Sequence, residues 1–362
     1  MHRADVVIIG SGVIGASIAW HLAARGWRDI LVLDRASQPG GGSTSRATGG
    51  FRCQFGSEIN IRLSQLSRTK LLNFHDEIGL DSGYQPAGYL FLARSEETLL
   101  QLRDAQKIQH ACGVAEARMI TPAEVHDLNP AIDLDAEAGG GRIAGAAYSP
   151  TDGFISPMSI LEGYVAAATR LGVRFEYDRE VHSLAEIDAG QIVNATGAWA
   201  ERFGALVAPL RRNVAATVAT DRLPDDMPMT IWADDGFHLR VRDGRVLLLW
   251  PDDPVVADDE WFAEVRSRTD ARIPSLRDVP IDRSASWSGL YEMSPDRHAI
   301  IGRVGDRLVL ANGSSGHGVM HAPAIGELVA QIVSGQPTTI DVHSLRPSRF
   351  AEGELIQGHS LL

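Results

Sequence analysis

The chain has little cysteine, fewer basic than acidic side chains and no long apolar run. Its two cysteines, Cys53 and Cys112, cannot build a disulfide framework and have no neighbours at metal-ligand spacing, so we expect a reducing, cytoplasmic location and no metal site. The 34 Lys and Arg against 46 Asp and Glu give a net charge of -12, which argues against nucleic acid as a partner. We find no signal peptide and no run near the ~18 apolar residues of a membrane helix, so no integral membrane segment is predicted.

Glycine, by contrast, is in surplus. The chain has 36 glycines in 362 residues, where an average usage of ~7% would give about 25. Eleven of them fall in three loops, within residues 10–15, 40–50 and 313–318. The length allows about two domains, each with a buried core. A fold with several glycine-dependent loops is therefore expected.

The first 34 residues predict a βαβ unit. Val6–Ile9 is a short β-branched run typical of a strand buried on both faces, and Gly10-Ser11-Gly12-Val13-Ile14-Gly15 follows it directly. Apolar residues then recur at helical spacing, and a second apolar run, Ile30–Leu33, ends in Asp34.

This arrangement is the dinucleotide-binding pattern. Gly10 permits a tight turn, Gly12 lets the backbone approach a pyrophosphate, and Gly15 lets the helix pack closely on the strand. The helix N-terminus offers free N–H groups to phosphates, and Asp34 can accept from a ribose hydroxyl. An ordinary βαβ turn without a ligand is the competing interpretation, and the pattern alone does not choose between NAD and FAD.

Further along, the chain alternates between two patterns of predicted secondary structure. Strands at 172–176, 191–197 and 307–311 continue the first domain, and a Gly/Ser loop and an apolar-striped helix at 324–334 follow the last of them. Other segments predict a mainly antiparallel sheet with helices; they are the strands 88–93, 214–219, 237–242 and 246–250, the Asp243-Gly244 hairpin turn, and a capping box at Thr121-Pro122-Ala123-Glu124.

We therefore predict an α/β protein with a Rossmann-like dinucleotide-binding domain, built on a parallel sheet, and an interleaved α+β substrate domain with a mainly antiparallel sheet. The expected division assigns 1–85, 145–205 and 288–362 to the first domain, and 86–144 and 206–287 to the second.

Five motifs, in order, resemble the D-amino-acid-oxidase-like family of FAD-dependent oxidoreductases, which includes glycine oxidase, sarcosine oxidase and the catalytic subunits of dye-linked proline dehydrogenase. The resemblance covers nearly the whole chain. The motifs are Gly10 to Gly15, Gly42-Ser43-Thr44-Ser45-Arg46, Asn194-Ala195-Thr196-Gly197-Ala198-Trp199, Leu290-Tyr291-Glu292-Met293-Ser294-Pro295-Asp296 and Gly316-His317-Gly318-Val319-Met320.

The resemblance implies a bound FAD. The helix N-terminus after Gly316 would stabilise negative charge on the pyrimidine side of the flavin. The cofactor-binding residues it implies are Gly10, Gly12, Val13, Ile14, Gly15, Asp34, Arg35, Ser43, Thr44, Ser45, Arg46, Gly50, Val181, Ala195, Thr196, Gly197, Trp199, Gly289, Gly316, His317, Gly318, Val319 and Met320.

The family's chemistry implies hydride removal from the carbon next to an amine, delivered to flavin N5, leaving an imine that water hydrolyses. Such a step needs a neutral amine over the flavin and a cationic anchor for a carboxylate. Arg52, His317, Tyr291 and Arg240 are the candidate catalytic residues, while His238 is interpreted as structural.

Three positions depart from members of the family. Met320 stands where monomeric sarcosine oxidase has a carboxylate-binding lysine, and Tyr291 where glycine oxidase has its carboxylate-binding arginine. Gly289 replaces the cysteine that attaches flavin covalently in monomeric sarcosine oxidase. We therefore expect noncovalent FAD and a rearranged carboxylate anchor.

The sequence leaves several functions open. The leading one is oxidation of an amino acid or secondary amine of sarcosine, proline, glycine or iminodiacid type, with oxygen or an electron-transfer partner as acceptor. A flavin-dependent 2-hydroxy-acid dehydrogenase, a dehydrogenase subunit that passes electrons to a partner protein, and a flavin-binding subunit without catalysis are the alternatives.

Overall fold

The computed structural model describes residues 2–136, 141–252 and 255–357. The strands in these ranges are β1 (His2–Ile9), β2 (Ile30–Leu33), β3 (Gly50–Phe51), β4 (Tyr89–Ala93), β5 (Arg118–Ile120), β6 (Gly145–Ser149), β7 (Gly153–Phe154), β8 (Arg174–Glu176), β9 (Ile187–Asn194), β10 (Ala208–Thr217), β11 (Met229–Trp232), β12 (His238–Arg242), β13 (Arg245–Leu249), β14 (Ile281–Met293), β15 (Ile300–Val304) and β16 (Leu308–Asn312).

The α-helices alternate with these strands, and short 3-10 turns join several elements. The helices are α1 (Val13–Ala24), α2 (Glu58–Leu72), α3 (Phe74–Ile78), α4 (Glu96–Ala111), α5 (Pro122–Leu128), α6 (Pro157–Arg170), α7 (Asp258–Arg272), α8 (Gly318–Val333) and α9 (Arg349–Glu352).

The first sheet has six strands in the order β15-β16-β9-β1-β2-β8. All neighbours are parallel except β15 and β16, which form an antiparallel pair. Strand β1 is central, with Ile9 aligned with Leu33 on one side and with Asn194 on the other. Because parallel strands end at the same edge, the loops that follow β1, β2 and β9 meet there.

Both faces of this sheet are buried, as the run of apolar residues in β1 predicts. Val6 and Ile8 pack against Leu22 of α1 and Leu328 of α8. Val7 and Ile9 point the other way, into a second cluster that includes Phe203. Alternate side chains of β1 therefore belong to two separate hydrophobic clusters, one on each face of the sheet.

The second sheet has eight strands in the order β14-β10-β13-β12-β11-β4-β6-β5, and only the β11–β4 pair among its described pairs is parallel. The predicted hairpin is confirmed: β12 and β13 pair Arg242 with Arg245 across Asp243 and Gly244. Their φ values are 55° and 66°, as a tight type I′ turn requires. The predicted fold class, a parallel Rossmann-like sheet with a mainly antiparallel second sheet, is confirmed.

Two segments differ from the prediction made from the sequence. Strand β6 belongs to the second sheet, pairing Ala147 with Phe91, although 145–205 was assigned to the first domain; its small residues give no strand signal of their own. Helix α8 begins at Gly318 rather than Ala324, and Pro323 lies inside it. The division into domains as a whole stays a prediction.

Candidate functional site

A cavity of about 580 Å³ lies at the carboxyl edge of the first sheet and is lined by residues of both sheets. Loops after β1, β2, β9 and β16 form one part of its wall. Strands β10, β12 and β14 contribute the other part. The residues that line the cavity include 12–14, 40–44, 46–50, 195–199, 289–293 and 314–320.

The first glycine loop fits a pyrophosphate. A Cβ on Gly10, which has φ +100°, would lie 2.4 Å from the Ala195 carbonyl oxygen, and one on Gly15 would lie 1.9 Å from that of Gly10. A Cβ on Gly12 would meet only Thr44 Oγ1, at 3.6 Å, so this position opens onto the cavity. Gly10 and Gly15 therefore serve the fold, while Gly12 leaves room for a ligand.

The N-terminus of α1 is also open to the cavity. Gly12 is its N-cap and supplies no side chain, and the first turn carries no acidic residue. The Val13 amide donates to Thr44 Oγ1 at 3.2 Å. The positive end of the helix dipole is thus not neutralised by a carboxylate of its own first turn, and it is suited to an anionic ligand.

Asp34 lies at the end of β2, where the carboxylate is held in one orientation. Its Oδ2 accepts from the amide and the hydroxyl of Ser11 at 2.7 and 2.9 Å, and its Oδ1 accepts from the Ala36 amide at 2.8 Å. Arg35 stacks on the Trp199 ring at 3.7 Å. In the described part of the chain, the Val181 amide and carbonyl have no hydrogen-bond partner, so both can serve an adenine edge.

A second helix N-terminus faces the same cavity. His317 is the N-cap of α8, no acidic residue lies in its first turn, and residues 316–320 line the cavity. Tyr291 packs against Gly316, where an added Cβ would lie 2.5 Å from the Tyr291 ring. The residues present therefore fit a dinucleotide with phosphates at α1 and a ring system at α8.

Arg52 is the central cation of the site. Its side chain is 2% exposed, lines the cavity and has no ion pair with any carboxylate in the described residues. Nη1 donates to the Gln54 carbonyl, and the guanidinium lies over the Phe55 ring at 3.9 Å. Burial lowers the pKa of Arg52, while the nearby Tyr89 and the buried carboxylate Asp152 oppose that shift. Because Asp152 makes no direct ion pair with Arg52, the remaining N–H groups of the guanidinium can bind an anion.

His317 contacts Arg52 directly. Arg52 Nη2 donates to His317 Nε2 at 3.2 Å, because a guanidinium cannot accept. Burial first, and then the positive charge of Arg52, lower the pKa of His317 well below its usual value. His317 is therefore neutral, and its Nε2 lone pair is already used.

A carboxylate that sequence reasoning missed supports the Arg52 segment. Asp152 is fully buried and accepts from the amides of Cys53 at 2.9 Å and Gln54 at 3.3 Å. Burial raises the pKa of Asp152 to about 6. Its side chain holds the backbone next to Arg52, but 99 residues separate it from Cys53, so no local pattern signals the contact.

Three predicted residues do not line the cavity. Arg240 donates from Nη1 to the Thr48 carbonyl at 2.6 Å and lies 3.8 Å from the Phe154 ring centroid, so in this structure it holds the 47–50 loop, which lines the cavity. Gly15 packs inside its own turn, and Ser45 donates to the Gly40 carbonyl at 2.6 Å. Every other predicted site residue lies in the lining.

The lining also includes residues that were not predicted. Tyr89 is 4% exposed, and burial raises its pKa to about 12. His238, interpreted as structural, faces the cavity from β12. The two-residue alternation of His238, Leu239 and Arg240 is the signal that could have placed it on the same face as Arg240.

The family model for FAD dependent oxidoreductases, DAO, matches residues 5–332. The chain belongs to the DAO family. This DAO-family oxidoreductase is 27% identical over 398 residues to dimethylglycine dehydrogenase of Rattus norvegicus, covering 97% of this chain but only 45% of that longer protein. It is 26% identical over 374 residues to glycine oxidase of Geobacillus kaustophilus, covering 94% of this chain and 96% of the relative.

A solved structure agrees with these relatives. The crystal structure of L-proline dehydrogenase from P. horikoshii superimposes with a TM-score of 0.87 at 28% identity, covering 98% of this chain and 100% of that one. The DAO-family assignment confirms that the enzyme is an FAD-dependent oxidoreductase. No metal cluster occurs among the residues described, and no helix within them is long and apolar enough to cross a membrane.

Proposed function

We propose that this DAO-family enzyme oxidises the C–N bond of an amino acid or secondary amine of sarcosine, proline, glycine or iminodiacid type. The observation that carries the proposal is Arg52, a buried cation that lines the cavity without a carboxylate partner among the described residues. A substrate carboxylate supplies the direct ion pair that Arg52 lacks among these residues. The relatives named above as glycine oxidase and L-proline dehydrogenase support this substrate class.

Side chains around Arg52 bind and orient the substrate. The guanidinium is held by the Gln54 carbonyl and by His317, so its remaining N–H groups have a fixed direction. Tyr89 and Tyr291 line the same space, and their high pKa values keep both hydroxyls protonated as donors. Bound FAD supplies the hydride acceptor. The protein's contribution is therefore to fix one carboxylate and so hold the carbon beside it in one position.

We propose that FAD is bound noncovalently. Neither Cys53 nor Cys112 lines the cavity, and burial raises the pKa of the Cys53 thiol well above its usual value. Gly289, at the position implied for a covalent link, has no side chain to form one. Acid-denatured holoenzyme should release yellow flavin into the supernatant, and flavin that stays with the precipitate would overturn this point.

The function is tested by anaerobic reduction of the FAD-loaded enzyme with sarcosine, L-proline, glycine and iminodiacetate, each compared with a matching 2-hydroxy acid. We expect the flavin absorbance to bleach with at least one amine. Bleaching by hydroxy acids alone would favour the dehydrogenase alternative and refute the proposal. Peroxide release in air distinguishes oxygen from a protein partner as the acceptor.

An Arg52→Met variant tests the anchor. Loss of a buried charged contact of about 3 kcal/mol lowers kcat/KM for a carboxylated amine by about 100-fold, while FAD stays bound. Arg62→Met is the matched control, because Arg62 lies exposed on α2 and its ion pair in the described residues is with Glu58 of the same helix. Unchanged kinetics in Arg52→Met would remove Arg52 from the substrate site.

A further inference from the structure

One ring nitrogen of the cavity-lining His238 has no hydrogen-bond partner among the residues that the structure describes. His238 Nδ1 lies 2.8 Å from the Gly236 carbonyl oxygen, and because a carbonyl only accepts, Nδ1 carries the proton. Nε2 is then a lone-pair acceptor. It makes no hydrogen bond within the described residues, and His238 is part of the cavity lining.

The alternation of side chains along strand β12 places His238 on the face that lines the cavity. Leu239 and Val241 point into the core of the second domain, where both are buried. His238 therefore points to the opposite face, and Leu249, its partner on β13, also lines the cavity. The His238 side chain cannot move to the other face of the sheet without the strand losing its buried face.

The environment keeps the ring neutral. Burial, and then the positive charge of Arg52, lower the pKa of His238 to about 4, whereas the hydrogen bond to Gly236 opposes the shift. His317 differs from His238, because its Nε2 already accepts from Arg52. The positively charged Arg52 and the neutral acceptor His238 Nε2 thus line the same cavity.

We propose that His238 Nε2 accepts a hydrogen bond from the amine N–H of the substrate while Arg52 binds its carboxylate. This inference rests on the proposed function and narrows its substrates to primary and secondary α-amino acids. A neutral secondary amine has one N–H, and directing it to Nε2 fixes the rotation of the nitrogen and hence of its lone pair. A neutral tertiary amine has no N–H to donate and lacks this contact.

Two nonreactive carboxylates test the contact without turnover. Pyrrole-2-carboxylate carries an N–H where furan-2-carboxylate carries an oxygen, and binding of each to the FAD-loaded enzyme is measured from the flavin absorbance change. We expect pyrrole-2-carboxylate to bind about 3- to 10-fold more tightly, the value of one hydrogen bond. His238→Leu should abolish this preference and leave the affinity for furan-2-carboxylate within about twofold.

Two further variants separate the hydrogen bond from a structural effect. His238→Gln keeps an acceptor and should restore part of the preference, whereas His126→Leu, on the exposed face of α5, should retain all of it. The rate of anaerobic flavin reduction by sarcosine relative to N,N-dimethylglycine should fall in His238→Leu by about 10-fold.

The outcomes are distinguishable. Equal binding of both carboxylates to the unaltered enzyme, or a preference that survives in His238→Leu, overturns the role of His238 and leaves the Arg52 anchor standing. If neither carboxylate changes the flavin spectrum and no amine reduces it, the proposed function fails, and the assignment of His238 fails with it.

Discussion

Replacing Gly12 by alanine should separate cofactor binding from folding. The backbone at Gly12 has φ -63° and ψ 176°, which alanine adopts without strain. Its Cβ would meet only Thr44 Oγ1, at an ordinary contact distance of 3.6 Å. The unfolding free energy of the apoprotein should therefore change by less than about 1 kcal/mol. Alanine is a poorer N-cap than glycine for α1, but it also lowers the conformational entropy of the unfolded chain, and the two effects offset each other.

FAD binding should suffer much more. The methyl group would stand where the backbone opens onto the cavity at the N-terminus of α1. Overpacking by one methyl costs about 1–3 kcal/mol, which raises the FAD Kd about 5- to 150-fold. Gly15→Ala is the comparison, because its Cβ would lie 1.9 Å from the Gly10 carbonyl oxygen and must displace backbone. That variant should lose stability even without cofactor.

Two measurements decide the matter. Urea unfolding of the apoproteins gives the stability of each variant, and quenching of flavin fluorescence during titration gives the FAD Kd. A Gly12→Ala protein that binds FAD as tightly as the unaltered chain would refute the assignment of this position to the pyrophosphate. If the Gly12→Ala apoprotein loses as much stability as the Gly15→Ala apoprotein, the claim that Gly12 faces open space is refuted.

Other substitutions test the fold and the charges. Arg52→Met should not lower the unfolding free energy of the apoprotein in urea, because it removes a buried cation that has no carboxylate partner in the described residues; a loss above about 1 kcal/mol would contradict this. Thr121→Ala breaks the capping box with Glu124 and should cost about 1 kcal/mol in the same assay with unchanged turnover, so full stability would count against the cap. His321, buried beside Ser64, has a pKa of about 3 when folded against 6.5 for the free side chain, so the unfolded chain binds the extra proton and stability falls as pH drops from about 6.5 towards 3. His321→Gln should flatten that fall in urea titrations at several pH values, and an unchanged slope would show that other groups cause it.

Features that depend on neighbours in sequence could be predicted from it. The Gly10 to Gly15 turn, the Thr121 capping box and the Asp243-Gly244 hairpin each follow from the conformations that a few adjacent residues allow. The other loop motifs of the predicted cofactor site came from the resemblance to the family, and only the Gly10 to Gly15 turn was assigned from its own residues.

Contacts between distant segments could not be predicted in this way. Arg240 and His238 occupy the same face of β12, yet the pairing of β12 with its neighbours and the position of the 47–50 loop send one to a backbone carbonyl and the other to the cavity. Asp152 supports Arg52 from the other side of a long insertion. Such placements depend on how two sheets dock, which no local pattern records.

The order of strands in the first sheet has a consequence for how the holoenzyme is made. Strand β1 leaves the ribosome well before its neighbour β9, which begins at Ile187, and before the loop that precedes α8 at Gly318. A nascent chain therefore holds the glycine loop after β1 long before it has the α8 end of the cavity. If FAD binds with its ring system at α8, as the fit of the cavity predicts, its loading waits until α8 has been synthesised and is a late event of biosynthesis.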